Sequence, residues 1–139
     1  MDLDTSGPKR VIKPPDGTIH PLPWPYSHGI AVGNLLFIAG QVALDEDLRL
    51  VGPGDIEVQA RRAWENIRIV VEAAGGKLTD VVRVTAYLAD LADMDGLQEV
   101  RREMFPDGDF PVATVTETKR LGLPGLLVEI EATAVIGST

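Results

Sequence analysis

Two glutamates in the segment LVEIEATAV, residues 127–135, have the clearest potential for chemistry. On a β-strand Glu129 and Glu131 point to the same face, roughly 6–7 Å apart at about 3.3 Å per residue. A carboxylate placed in this way can orient and activate a water molecule, or it can belong to a solvated or ion-paired polar face. The opposite face of the strand is apolar: Val128, Ile130, Ala132 and Ala134. The pattern therefore predicts a strand with one buried face and two carboxylates on the other.

The remaining reactive residue types show no motif. His20 and His28 are the only histidines and do not form a HExxH-type metal pair. Ser27 precedes His28, but neighbours on a strand point to opposite faces and cannot act as nucleophile and base. The segment EAAGGKLT lacks the first glycine of a phosphate loop, so Gly75-Gly76 is interpreted as a helix terminator. We therefore expect neither a metal nor a cofactor.

Composition excludes several classes of protein. The 139 residues fit one domain, and 45% hydrophobic with 24% charged residues is typical of a globular chain. The absence of cysteine excludes disulfides, thiolate nucleophiles and Cys-based zinc sites. A net charge of −8 argues against nucleic acid as a partner, because such binders usually carry a basic surface. No apolar run approaches the ~20 residues that cross a bilayer, and no hydrophobic segment follows the charged start. We expect a cytoplasmic protein with no membrane partner.

Hydrophobic periodicity divides the chain into an arm and one domain. Residues 1–25 hold six of the ten prolines, which predicts an extended or edge-forming arm, and residues 26–139 form the domain. Two strands flank a Gly33-Asn34 turn, and a helical stripe from Ile56 to Ala74 follows, with Asp55 as its N-cap. A strand, a shorter helix and two final strands complete the order β-β-α-β-α-β-β. In the middle strand, four residues are expected on one apolar side: Val82, Val84, Ala86 and Leu88.

Two amphipathic helices can cover only one face of the predicted sheet. The other face carries Glu129, Glu131, Arg83 and Tyr87, and it must meet water or other subunits. Glu131 is expected to be structural and paired with a basic residue across the sheet.

Several stretches in this order resemble the RidA/YjgF family, the reactive-intermediate imine deaminases. They are GN-x-x-x-x-(A/S)-GQ, the Q-x-R-x-x-x-x-NI helix, VVRVTAYL and VEIEA, and the resemblance covers about 26–136. It implies an α+β, chorismate-mutase-like mixed sheet with two helices on one face, assembled as a homotrimer with a small-molecule site in each intersubunit cleft.

The resemblance also implies roles for individual residues. In deaminating members an imine or enamine is hydrolysed to a 2-keto acid and ammonia. Glu129 matches the glutamate that positions water, and Tyr26 matches the tyrosine of the N-terminal motif. Gly40 matches the pocket backbone, Ala39 replaces the usual serine, and Gln98 stands where related proteins often have asparagine.

One family residue is missing. The arginine that clamps the substrate carboxylate normally stands in a P-x-R-(S/T) stretch, but here the stretch has Ala113 followed by Thr114. Losing this charge-assisted contact predicts binding of 2-imino acids that is weaker by roughly 10- to 100-fold or more. Another cation could replace it, and the candidates are Arg101, Arg102, Arg83 and Lys119. Lys119 is expected on the same strand face as Ala113. For Arg101 and Arg102 a solvated helix face is the simpler interpretation.

Two further alternatives remain open. The substrate could lack a carboxylate and occupy a more apolar pocket lined by Trp24, Val115 and Ala113, although Trp24 could instead serve only to pack the arm. Alternatively, catalysis has been lost. The function predicted is a RidA-like hydrolase or deaminase with altered specificity, and the alternative is a non-catalytic trimer that binds a small molecule or a protein.

Overall fold

The computed structural model describes residues 2–139. Its elements are β1 Arg10–Ile12, β2 Gly29–Val32, β3 Leu35–Gln41, α1 Ile56–Ala73, β4 Val81–Leu88, α2 Met94–Met104, β5 Val112–Glu117 and β6 Val128–Val135, with short 3-10 turns at Leu78–Asp80 and Leu91–Asp93. The predicted α+β class and the order β-β-α-β-α-β-β are confirmed, with one strand more than expected. That strand, β1, belongs to the proline-rich arm and pairs with β2. The division of the chain at residue 25 stays a prediction. No helix in the described chain is long and apolar enough to span a bilayer.

All six strands form one mixed sheet in the order β1-β2-β3-β6-β4-β5. Neighbouring strands are antiparallel except β4 and β5, which are parallel. The register places Tyr87 of β4 between Glu129 of β6 and Thr116 of β5. The two-residue turn between β2 and β3 contains Gly33 at φ +58°, a conformation that favours glycine. The hairpin predicted from Gly33-Asn34 is therefore confirmed.

Helix α1 lies against β3 and β6. The Asp55 side chain accepts a hydrogen bond from the Val58 amide at 3.1 Å, as expected of an N-cap. Gly75, at φ +88°, follows the last turn and ends the helix. The face toward the sheet is fully buried over several turns: Ala60, Ala63, Trp64, Ile67, Val70 and Val71. Burial of such a stripe supplies the apolar free energy that holds the helix on the sheet.

Helix α2 packs beside α1 and completes the layer on the same core. Leu97 and Val100 are fully buried, and the Phe105 ring meets the Trp64 ring edge-on with centroids 5.3 Å apart. The predicted pair of helices on one face is confirmed.

One strand residue departs from the predicted alternation. Val82 was expected on the buried side of β4, but its side chain is 40% exposed while Val81 and Val84 are buried. The pairing of β4 with β6 shifts register between Val81 and Arg83. An extra residue at such a bulge breaks the period-2 pattern, which explains the error.

The opposite face of the sheet is open in the single chain. It carries Arg83, Tyr87, Glu131 and Phe37, whose side chain is 49% exposed. The Tyr87 hydroxyl donates to Glu131 Oε1 at 2.6 Å. The expectation of a basic partner for Glu131 is therefore wrong, because a phenol on the adjacent strand satisfies this carboxylate.

Candidate functional site

A cavity of about 260 Å³ lies between the arm, the end of β3, β6 and the loop that precedes β6. The residues that line it are His20, Trp24, Tyr26, Gly40, Val42, Leu44, Gly122, Leu123, Leu126 and Glu129. Most of its wall is apolar, and the polar side chains are an imidazole, a phenol and a carboxylate. Such a concave, mainly apolar space with few convergent polar groups is the usual form of a small-molecule site.

Glu129 is half-buried on β6 and faces this cavity. Its pKa is raised, first by burial and then by the negative charge of Glu131. A carboxyl group whose pKa moves upward can hold and release a proton nearer neutral pH than a solvated one.

Gly40 allows Glu129 to lie against the backbone of β3. A Cβ atom at this position would be 2.8 Å from Glu129 Cδ and 2.9 Å from Cγ, closer than carbon atoms pack. The register between β3 and β6 shifts between Ile38 and Gln41, so Gly40 belongs to an irregular stretch of the strand. Bulges of this kind redirect side chains near active sites, and here the bulge makes room for the carboxylate.

Tyr26 and Trp24 bring the arm into the same cavity. Their rings are nearly parallel, with an interplanar angle of 7° and centroids 6.4 Å apart. The pKa of Tyr26 is raised by burial and by the charge of Glu129, so its hydroxyl stays protonated and can donate a hydrogen bond. Trp24 is 39% exposed, and its ring lines the cavity as well as packing on Tyr26.

His20 was not among the site residues expected from the sequence, yet it lines this cavity and is only 3% exposed. Its backbone carbonyl accepts a hydrogen bond from His28 Nε2 at 2.9 Å, and Gln41 Nε2 donates to His28 Nδ1 at 3.1 Å. Burial, followed by the charges of His28 and Arg62, lowers the pKa of His20 to about 4. The ring is therefore neutral at pH 7. The sequence holds no signal for this placement, because the proline-rich arm has no periodicity.

The other expected site residues do not line the cavity of their own chain: Ala39, Gln98, Ala113, Thr114 and Val115. The β4–β5 register pairs Ala113 with buried Val84, so Ala113 and Val115 share the helix-covered side. Thr114 pairs with Thr85 on the side of the glutamates. The structure thus separates these residues from Glu129 within one chain.

Three comparisons with known proteins agree on a family. The family model described as endoribonuclease L-PSP matches residues 20–136. A RutC family protein of Pyrococcus abyssi is 43% identical over 110 residues, covering 79% of this chain and 85% of its own. A protein of Dermatophagoides farinae named 2-iminobutanoate/2-iminopropanoate deaminase is 33% identical, covering 93% of this chain and 98% of its own. The crystal structure of the Escherichia coli YjgF gene product superposes with a TM-score of 0.81 at 29% identity, covering 91% and 98% of the two chains.

The chain belongs to the RidA/YjgF family. The predicted membership is confirmed.

Within the described residues of this RidA/YjgF-family chain, no basic side chain of the cavity replaces the clamping arginine that family resemblance associates with the site. No lysine or arginine is among the residues that line it. Arg102 pairs with Glu99 at 3.0 Å, Arg83 lies on the open sheet face, and Lys119 follows the end of β5. Glu129 is thus the only residue among the aspartates, glutamates, lysines and arginines of the described chain that lines the cavity.

Arg101 was given two interpretations from the sequence. The helical pattern predicts it on or near the buried face of α2, whereas a solvated face is the simpler interpretation of it as a replacement cation. The residue is 7% exposed, which confirms the first and contradicts the second. Its Nη1 donates to Gln98 Oε1 at 3.1 Å, while the buried Nε and Nη2 atoms have no hydrogen-bond partner within residues 2–139. Burial lowers the pKa of this guanidinium. The helical pattern places Arg101 one turn after Leu97, on the inner face, which explains the burial.

Among residues 2–139, no group of three or more histidine, aspartate and glutamate side chains is arranged to hold a metal ion.

Proposed function

We propose that this protein is a hydrolase that acts on the C=N bond of an imine or enamine, or on a related small electrophilic substrate, with water positioned by Glu129. The observation that carries the proposal is a half-buried carboxylate of raised pKa, held against Gly40 in an apolar cavity beside Tyr26. The printed name of the Dermatophagoides farinae relative, a 2-iminobutanoate/2-iminopropanoate deaminase, supports the reaction class.

The chemistry moves a proton from oxygen to nitrogen twice, and one carboxyl group can relay both protons. Glu129 accepts a proton from water as the water oxygen bonds to the imine carbon and the C=N π bond opens, and it returns that proton to the nitrogen to give a carbinolamine. Glu129 then accepts the hydroxyl proton of the carbinolamine and returns it to the nitrogen, so the C–N bond breaks, ammonia leaves and the C=O bond of the product forms. General acid–base catalysis by a positioned side chain typically contributes 10²–10⁴-fold. The Tyr26 hydroxyl donates a hydrogen bond to the oxygen of the carbonyl group that forms, or to the Glu129 carboxylate.

The substrate proposed for this site lacks a carboxylate. Ala113 replaces the family's clamping arginine, and no cation lines the cavity within the described chain. Among the residues of its own subunit, a substrate carboxylate would face Glu129 with no opposite charge, and burying an unpaired anion is costly. Trp24, Leu123 and Leu126 instead offer an apolar wall, so an imine with an apolar body fits better than a 2-imino acid.

We also propose that the chain is a homotrimer in the cytoplasm and that each site lies in a cleft between subunits. Support comes from residues that resemblance assigns to the site but that lie elsewhere in their own chain. Gln98, Ala113, Thr114 and Val115 would then complete the cavity of a neighbouring subunit. The open sheet face, with Phe37 half exposed, provides a surface that assembly would cover.

A second function is favoured by the missing arginine itself. The same cavity could bind a small molecule or a protein segment without turnover. A crystal structure of Escherichia coli TdcF contains bound serine; TdcF is 28% identical, with a TM-score of 0.81, covering 91% of this chain and 98% of its own. The serine bound in the structure of that similar protein supports this alternative.

Ammonia release from imines generated in situ tests the hydrolase. Alanine with an amino-acid oxidase supplies 2-iminopropionate, and benzylamine with a flavin amine oxidase supplies an imine without a carboxylate. We expect the wild-type protein to accelerate ammonia release from the benzylic imine and Glu129→Gln to lose about 100-fold or more. Ala113→Arg should raise activity on 2-iminopropionate about 10- to 100-fold.

Glu131→Gln is the matched control, because it makes the same change two residues along β6. It should retain turnover and shift the acidic side of the pH profile to lower pH, since Glu131 raises the pKa of Glu129. Wild-type turnover of 2-iminopropionate equal to that of an arginine-bearing relative would refute the altered substrate. Absence of turnover in every variant would favour the binding protein.

A further inference from the structure

Two loops form most of the apolar wall of the Glu129 cavity. Residues 42–55 join β3 to α1, and residues 118–127 join β5 to β6. The leucine and valine side chains that these loops place in the wall are Val42, Leu44, Leu123 and Leu126. All of them except Leu123 belong to a small hydrophobic cluster that is separate from the main core. The main core therefore does not fix this wall, and its position depends on other contacts.

A stripe of polar side chains on α1 provides such contacts. Gln59, Arg62 and Asn66 are spaced by three and four residues, so they share one face of the helix. Asn66 Nδ2 donates to the carbonyls of Val42 and Leu44 at 3.0 and 3.3 Å. Arg62 Nε donates to the Leu44 carbonyl at 3.1 Å. The stripe therefore ties the first loop to α1.

Gln59 is the member of the stripe that bonds to both loops. Its Nε2 donates to the Gly52 carbonyl of the first loop at 3.2 Å and to the Gly125 carbonyl of the second at 3.0 Å. Its Oε1 accepts from the Leu127 amide at 2.8 Å. A Cβ atom at Gly125 would be 2.9 Å from Leu50 Cδ2, so the two loops also touch each other there. One side chain thus joins the loops to each other and to the helix.

The surroundings of Gln59 require these bonds. The residue is fully buried, and burying an amide is costly unless it is hydrogen-bonded. Both of its N–H groups and its oxygen are used. Gln59 begins the Q-x-R-x-x-x-x-NI stretch of the sequence, to which the hydrolysis derived above assigns no part.

We infer that Gln59 is a positioning residue that determines specificity: by holding the two loops at a fixed separation, it sets the size of the apolar group that the Glu129 cavity accepts. The inference rests on the proposed function for the identity of the natural substrate. Gln59 does not itself line the cavity, so it acts through the loop side chains that do. Glu129 is held separately, by the pairing of β6 with Tyr87 of β4. Loosening the loops should therefore affect binding of the apolar group more than the chemical step.

Hydrogen exchange tests the contact without any ligand. The Leu127 amide should exchange slowly in the wild-type protein, and Gln59→Leu, which removes its acceptor, should speed this exchange about tenfold or more. Asp80→Asn is the matched control. Asp80 is 1% exposed and accepts from the Lys77 and Thr139 amides, none of which lines the cavity. The control should leave Leu127 exchange unchanged even if it lowers stability.

Binding of two neutral alcohols tests specificity. Benzyl alcohol and 1-propanol carry the same hydroxyl group and differ in their apolar body, and their binding is followed by the methyl resonances of Leu123 and Leu126. We expect wild type and Asp80→Asn to prefer benzyl alcohol to the same degree. Gln59→Leu should lower the ratio of the two association constants about tenfold, chiefly by weakening benzyl alcohol.

Gln59→Glu distinguishes positioning from a general loss of stability. A carboxylate at this position can still accept from the Leu127 amide but cannot donate to the two glycine carbonyls, whereas a protonated carboxyl group can donate to one of them. Its preference for benzyl alcohol should therefore be lowered at pH 8 and recover toward pH 5, while that of Gln59→Leu should stay low at both.

Three results would overturn the inference. They are fast exchange of the Leu127 amide in wild type, no binding of benzyl alcohol by wild type, and an alcohol preference in Gln59→Leu or in Gln59→Glu at pH 8 equal to that of wild type. The first two need no variant, so they do not depend on whether a variant folds.

The outcome is separable from that of the hydrolase proposal. A lowered alcohol preference in Gln59→Leu without turnover of any imine by wild type would support this inference and refute the hydrolase. Turnover of the benzylic imine by wild type, with unchanged kcat and KM in Gln59→Leu, would do the reverse. If both hold, Gln59→Leu should raise KM for the benzylic imine about tenfold and change kcat little.

Discussion

The free energy of unfolding should fall as the solution is acidified, and His20 should account for much of the fall. Burial and the charges of His28 and Arg62 lower the pKa of His20 from 6.5 to about 4 in the folded chain. In the unfolded chain the imidazole regains its ordinary pKa. Between these values the unfolded state binds more protons, so acid favours it. The stabilisation is fully present above pH 6.5, declines as the pH falls, and is lost near pH 4.

The two pKa values set the size of the effect. They differ by 6.5 − 4 = 2.5, which corresponds to about 3 kcal/mol at about 1.4 kcal/mol per unit. Roughly 2 kcal/mol of this should be lost between pH 7.5 and 5.2. Glu129 acts in the opposite direction, because its raised pKa lets the folded state take up a proton more readily. His28, whose pKa is also lowered by burial, acts in the same direction as His20. The contribution of His20 must therefore be isolated by comparison with a variant.

Urea unfolding of wild type and His20→Gln at both pH values isolates this contribution. Protein concentration is held fixed, because assembly would make stability depend on it. Wild type should lose about 2 kcal/mol more than His20→Gln on acidification, even if the variant is less stable at both pH values. Ser27→Ala should keep the wild-type pH dependence. If His20→Gln shows the same loss as wild type, the imidazole is not held neutral by burial, and the reasoning fails.

Three further perturbations follow from the contacts. Gly40→Ala should abolish most ammonia release while changing the unfolding free energy little, because the new Cβ displaces the flexible Glu129 side chain; a large fall in stability with normal turnover would contradict this. Arg101→Met should leave the free energy of unfolding in urea unchanged or raise it by about 1–3 kcal/mol, since the substitution removes a buried guanidinium with two unpartnered nitrogens. A marked fall in this free energy would mean that an anion pairs with the guanidinium. Gly33→Ala should speed proteolysis of the first residues of the arm without altering the core. The new Cβ would collide with the Asp4 carbonyl, which accepts a hydrogen bond from the Asn34 amide and so holds the arm on the hairpin. An unchanged cleavage rate would show that this contact does not hold the arm.

The elements could be predicted because their patterns are local. The alternation of residues 128–135 and the stripe from Ile56 follow from the geometry of a strand and a helix, and both were assigned correctly. Val82 was assigned wrongly because its exposure depends on a register shift against the end of β6, at Thr133 and Ala134, which are distant in the sequence. Pairing between distant strands leaves no mark in the spacing of a single segment.

The site could be predicted only in part. Glu129, Tyr26, Gly40 and Trp24 do line one cavity. The strand pattern singled out Glu129 together with Glu131, and resemblance chose between them and supplied Tyr26 and Gly40. Trp24 was named only as a wall of a possible apolar pocket. His20 reaches the same cavity through an arm whose path depends on prolines and on a hydrogen bond from His28. Neither feature has a period, so no spacing rule could have found the contact.

The missing arginine and the charge of the cavity are two consequences of one arrangement. Without a cation, Glu129 has only neutral neighbours in the wall, so the pocket is most favourable for a ligand that brings its own positive charge. A protonated imine does so, and protonation also makes its carbon more electrophilic toward water. The same replacement that weakens binding of 2-imino acids would then improve selection of cationic, apolar imines. Ala113→Arg should therefore reverse the preference for the benzylic imine over 2-iminopropionate, raising activity on 2-iminopropionate and lowering it on the benzylic imine. A change of both activities in the same direction would show that charge does not determine the substrate.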